Sequence, residues 1–102
     1  MEDAVGSKVV AIYGRTEARD FLDLDSIRRS GRFSDAELLR LAAERDDGFE
    51  AGMYARQLGA IERIREERFA EYGVNGEELA AVRRRILEWA DIILSSDGRP
   101  EP

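Results

Sequence analysis

The chain contains no cysteine and no histidine. Disulfide frameworks, thiolate zinc sites, thiol nucleophiles and histidine-based triads are therefore excluded. Lysine is nearly absent too: Lys8 is the only one among sixteen basic residues, and the other fifteen are arginine. Both prolines, Pro100 and Pro102, fall in the last three positions, so no residue upstream is barred from a helix by a missing N–H. No stretch approaches the ~18 consecutive apolar residues of a membrane span. Met1-Glu2-Asp3 also lacks the basic opening of a secretory leader. The cytoplasm is the expected location. A formal net charge of -6 argues against bulk binding to nucleic acid or to an anionic membrane.

What remains is a chain of 102 residues, one domain's worth, with charged and apolar residues interleaved at helical spacing. Gly14, Gly31, Gly48 and Gly73 each follow an apolar-periodic segment, where a left-handed helix stop favours glycine. No alternating run with turn dipeptides reads as a hairpin. The expectation is an all-α fold: a single compact bundle of about five helices over residues 1–95, with a frayed tail at 96–102.

The first segment, Asp3 to Tyr13, carries Val5, Val9 and Ile12 at helical spacing, although the β-branched run Val9, Val10 and Ile12 also allows a strand. Thr16 is placed to cap a second helix reaching about Ser30, with Phe21, Leu24 and Ile27 on one face. Ser34 with Glu37 forms a capping box ahead of Leu38, Leu41 and Ala42. A fourth helix is expected to carry Phe49, Met53, Tyr54, Leu58, Ile61 and Ile64. Within it, Gly52 and Gly59 lie seven apart on one face and suggest close approach of a neighbouring helix, since each costs about 1 kcal/mol against alanine. Phe69 and Tyr72 sit on a short turn before Gly73. Asn75 with Glu78 opens the last helix, whose stripe is Leu79, Val82, Ile86, Trp89, Ala90 and Ile93. These aromatic and aliphatic stripes read as core, not as a cofactor box.

Two groups of residues could carry chemistry. A lone ammonium at Lys8 suits a phosphate or a carboxylate. Asp20 and Asp23 are three apart on a helix and share a face. If the first two helices form an antiparallel hairpin, Lys8 and Asp20 sit almost level across a gap of about 8–10 Å, which a lysine can cross. The pair then serves either as a structural tie or as part of a site. Arg83-Arg84-Arg85 reads as a solvated face, with Arg84 paired to Glu88 and Arg85 lying against Trp89. Arg28, Arg29 and Arg32 are expected to behave similarly.

The run Asp3 to Ala11, then Tyr13-Gly14-Arg15, then Ala18-Arg19-Asp20-Phe21-Leu22-Asp23-Leu24, resembles part of the AbiEii-type nucleotidyltransferases. These are toxins of bacterial type IV toxin-antitoxin and abortive-infection systems. Asp3, Lys8 and Ala11 match the family's third motif, and Arg19, Asp20 and Asp23 match its fourth. The resemblance implies that Lys8 faces nucleotide phosphates and that Asp20 orients it or supports the catalytic end. It is confined to about residues 3 to 27, with looser likeness through Tyr72-Gly73-Val74 and the closing stripe. The family's metal-holding Asp-x-Asp, expected about ten residues after Gly-Ser, has no counterpart here: Gly6-Ser7 is followed at that distance by Glu17, Ala18 and Arg19. Asp23-Leu24-Asp25 spells the pattern, but on a helix those side chains diverge by about 200°. The glutamate-containing second motif is missing as well. The expectation is therefore a helical module resembling the C-terminal part of such an enzyme, not catalytic by itself. Magnesium and a nucleoside triphosphate would be bound only if a preceding domain completed the site. The alternative is a protein-protein interaction or self-association domain.

Overall fold

A computed structural model describes Gly6, residues 8–12 and residues 17–96. Among them there is no strand, and the fold is all-α. Residues 8–12 form helix α1, with Gly6 also helical. Val9 and Ile12, three apart, share a face and are fully buried, which resolves the strand-or-helix ambiguity in favour of the helix. Five more helices follow: α2 (Ala18–Arg29), α3 (Asp35–Arg45), α4 (Ala51–Leu58), α5 (Glu66–Ala70) and α6 (Gly76–Ser96), with a 3-10 segment at Gly59–Arg63. Asp3, Val5, Tyr13, Gly14, Thr16 and the tail from residue 97 lie outside the described residues, as do the readings placed on them. No described helix is long and apolar enough to cross a membrane.

α2 buries Ala18, Phe21 and Leu24 on one face and leaves Ile27 half-buried. It stops where Ser30 donates its N–H to Ser26 and Ile27, and Gly31 then takes φ 74°. α3 opens on the expected capping box. The Ser34 N–H donates to Glu37 Oε1 at 2.8 Å, and the Glu37 N–H donates to Ser34 Oγ at 3.1 Å. Gly48 keeps out of the left-handed region; Asp46 shapes that turn by accepting the Gly48 N–H at 2.9 Å.

The fourth helix departs from expectation. In place of one run from Phe49 to Ile64, α4 ends at Leu58 and the chain tightens into the 3-10 segment from Gly59. Glycine holds a helix weakly, and a tighter winding there still buries Ala60 and Ile61. A Cβ placed on Gly59 would meet nothing within 4 Å, so no helix is packed against it. A close approach does occur at Gly6, where a Cβ would lie 3.1 Å from the Leu41 carbonyl oxygen of α3.

α5 anchors through fully buried Phe69. It ends in a Schellman turn, with Gly73 at φ 79°, its N–H on Ala70 O, and the Val74 N–H on Phe69 O at 3.1 Å. No Asn75–Glu78 cap bond forms; the Gly76 N–H instead reaches Glu66 at 3.4 Å. α6 then buries the six stripe residues expected of it, from Leu79 through Ile93. It is the spine against which α4, the 3-10 segment and α2 pack. At its centre Trp89 meets Tyr54 edge-on, with ring centroids 5.9 Å apart.

Candidate functional site

Helices α1 and α2, the expected hairpin, carry the motif residues. Lys8 lies near the start of α1, and Arg19, Asp20 and Asp23 occupy the first two turns of α2. The Lys8 ammonium donates to Asp23 Oδ2 at 2.9 Å. The Arg19 Nε lies 4.0 Å from the same oxygen. All three side chains are open to water, at 47%, 67% and 33% exposure for Lys8, Arg19 and Asp23. Asp20, the partner expected for Lys8, is instead 4% exposed on the inner side of the helix. Three helical positions rotate a side chain by ~60° net and lift it by ~4.5 Å. That step carries Asp23, and not Asp20, to the rim where Lys8 emerges.

The acids of Asp23-Leu24-Asp25 part as the helical period demands. Asp25 is buried and takes a two-pronged bond from Arg85 of α6, at 2.8 Å from both Nε and Nη2. This bond raises the already high pKa of Arg85, with burial opposing it. The two carboxylates therefore serve different cations on different sides of α2. Among the described residues no three acidic side chains converge as metal ligands would.

The arginine clusters are solvated faces only in part: Arg29, Arg32 and Arg84 are exposed, whereas Arg28, Arg83 and Arg85 are half-buried. Arg28 bonds both Asp35 oxygens, at 2.9 and 3.2 Å, and donates to the Arg85 carbonyl at 3.1 Å. Its guanidinium lies 4.6 Å from the Trp89 ring centroid, the position expected for Arg85. Arg83 donates to the Ile64 carbonyl at 2.9 Å and stands over Phe69. Arg84 alone of the triplet is exposed, and it forms no pair with Glu88.

Beside the hairpin lies a cleft of about 480 Å³ between the start of α2 and the segment running from the 3-10 turn through α5. Arg19, Arg63, Arg65 and Arg68 line it, together with Tyr72. Glu17 and Glu71 add two carboxylates to the wall. Sequence reading passed over Arg63, Arg65 and Arg68. Their only signal is the spacing Arg63-Ile64-Arg65-Glu66-Glu67-Arg68, which places basic side chains around an apolar anchor. Arg19 belongs to both places, the rim of the hairpin and the wall of the cleft. No family model matches the chain, and neither a curated protein nor a solved structure is significantly similar to it.

Proposed function

We propose that the chain is a non-catalytic helical module related to the AbiEii-type nucleotidyltransferases, acting in a bacterial cytoplasm. In this reading Lys8, Arg19, Asp20 and Asp23 mark the face set against a nucleotide site. The supporting observation is the meeting of three of them, with Lys8 on Asp23 at 2.9 Å and Arg19 beside them, while Asp20 is buried on the inner side of α2. The non-catalytic half of the reading follows from where the acids are spent. Two-metal nucleotidyl transfer needs paired carboxylates aimed at a shared pair of ions. Here Asp23 is held by Lys8 and Asp25 by Arg85, on opposite sides of α2. Magnesium and a nucleoside triphosphate would meet a complete donor set only where another polypeptide segment brought the missing acids.

Titration of the chain with ATP, GTP, CTP and UTP in the presence of magnesium tests both halves. Amide signals of residues 8–12 and 17–24 are expected to shift, with no pyrophosphate released and no labelled nucleotide transferred. Transfer to any acceptor overturns the non-catalytic half. Unmoved signals on the hairpin overturn the nucleotide-facing half.

A second reading, a self-association or partner-docking domain, is favoured by the end of α6, where Ile92 and Leu94 are 59% and 42% exposed. Light scattering over a wide concentration range decides it. A strict monomer would remove self-association.

A further inference from the structure

Among the described residues, the walls of the cleft carry a surplus of positive charge, four arginines against Glu17 and Glu71. Arg28, Arg40 and Arg85 each hold a carboxylate. Among the described residues, Arg63, Arg65 and Arg68 have no ion-pair partner, although all three face one concavity. We infer that this cleft binds a small, multiply charged phosphate compound of the pyrophosphate class. This deepens the proposed function by naming the ligand of a binding module, and it rests on that reading only in that the ligand is held and not consumed.

Three physical features support the assignment. Guanidinium presents a planar fork of donors that matches phosphate oxygens in pairs, which lysine cannot do. The wall is held in place from behind: Arg83 grips the Ile64 carbonyl at 2.9 Å, and Phe69, next to Arg68, is fully buried. The arginines therefore project from an anchored backbone, which lowers the ordering cost of binding. The cleft's 480 Å³ lies within the usual range for small-molecule sites.

Charge selects among anions. Four guanidiniums against Glu17 and Glu71 leave a local surplus of positive charge in a chain of net charge -6. A long polyanion would have to lie across the negative remainder of the surface, whereas a compact one meets only the cleft. A single carboxylate would gain little against Glu17 and Glu71, so a more highly charged phosphate is favoured.

Calorimetric titration of the full chain with sodium pyrophosphate at about 50 mM salt tests the assignment. One-to-one binding is expected, weakening as salt rises to about 200 mM. The double variant Arg65→Gln/Arg68→Gln, both sites exposed, is expected to keep its circular dichroism and to bind at least about tenfold more weakly. Arg56→Gln, on the exposed side of α4 and outside the cleft, should bind as the parent does. Affinity unchanged by the double variant, binding weaker than about 1 mM, or tighter binding of an RNA oligomer or an acidic peptide would each overturn the proposal. Nucleotide transfer by the chain would sink the non-catalytic reading and leave the cleft assignment standing. Absent pyrophosphate binding without transfer would do the reverse.

Discussion

At the scale of single residues, two ion pairs of similar length differ in their distance from water. Lys8 and Asp23 are 47% and 33% exposed, so their mutual attraction replaces hydration at little net gain. Asp25 is 5% exposed and Arg85 30%, and loss of either partner strands the other where water reaches poorly. Lys8→Met is therefore expected to cost less than about 1 kcal/mol. Asp25→Asn should cost about 2–4 kcal/mol, below the full penalty for a buried pair because Arg85 keeps some solvent. Urea denaturation of both variants checks the ordering. A loss of several kcal/mol in Lys8→Met would make Lys8 a structural ion and remove it from any binding face. The divergence of Asp23 and Asp25 was legible from helical period alone. Which acid Lys8 would take was not, because Asp20 and Asp23 differ by a small rotation that only the seating of α2 decides. The same holds for Arg28 and Arg85: both lie within reach of Trp89, and the choice between them depends on how α2 crosses α6.

At the scale of elements, the capping box of α3 joins a local sequence signal to a measurable pH effect. The Ser34 backbone N–H and hydroxyl hold the Glu37 carboxyl below its ordinary value of 4.5. Because the folded-state pKa is lowered, the stabilisation is fully present above 4.5 and is lost as pH falls through the lowered value. Glu37→Gln keeps a side-chain acceptor for the Ser34 N–H but carries no titrating group. Urea midpoints compared at about pH 6 and about pH 3 should fall further in the parent than in this variant. Equal falls would mean the box carries no charge-dependent stability. Removing the other half of the box, Ser34→Ala, is expected to cost about 1 kcal/mol at neutral pH. Signals of this kind, a cap at fixed offset or the α6 stripe from Leu79 to Ile93, are local and legible in the sequence alone. The break after Leu58 was not, since the apolar spacing continues through Ile61 and Ile64 and only the tighter winding at Gly59 shows that the helix has changed. Gly59 suggested a close helix crossing but has open space where its Cβ would be, whereas Gly6 does lie close against Leu41.

At the scale of the whole molecule, α6 is the spine and Trp89 its largest buried group, touching Tyr54 and lying under Arg28. Trp89→Ala should cost about 3–5 kcal/mol, a large share of the ~5–15 kcal/mol that holds a domain of this size together. A change within 1 kcal/mol would mean that α6 is not docked. The all-α class was legible because every stripe has helical period. The cleft was not, because its walls come from α2 and from the segment before α6, which only the folded chain brings together. That origin makes the cleft a reporter of folding. The unfolded chain has no such concavity, so pyrophosphate should bind the folded state alone and stabilise it by RT ln(1 + [L]/Kd). At ten times its dissociation constant the gain is about 1.4 kcal/mol, which for a chain of about 100 residues raises the melting temperature by roughly 6–7 °C. Orthophosphate, with less charge, should raise it less at equal concentration. At the same ligand concentration Arg65→Gln/Arg68→Gln, binding at least about tenfold more weakly, should show no more than about a third of the parent's shift, and higher salt should shrink the parent's shift. An undiminished shift in the double variant would place the anion elsewhere on the surface. No shift in the parent at saturating ligand would mean the four guanidiniums attract pyrophosphate no better folded than unfolded, and the concavity would then be only a gap between helices.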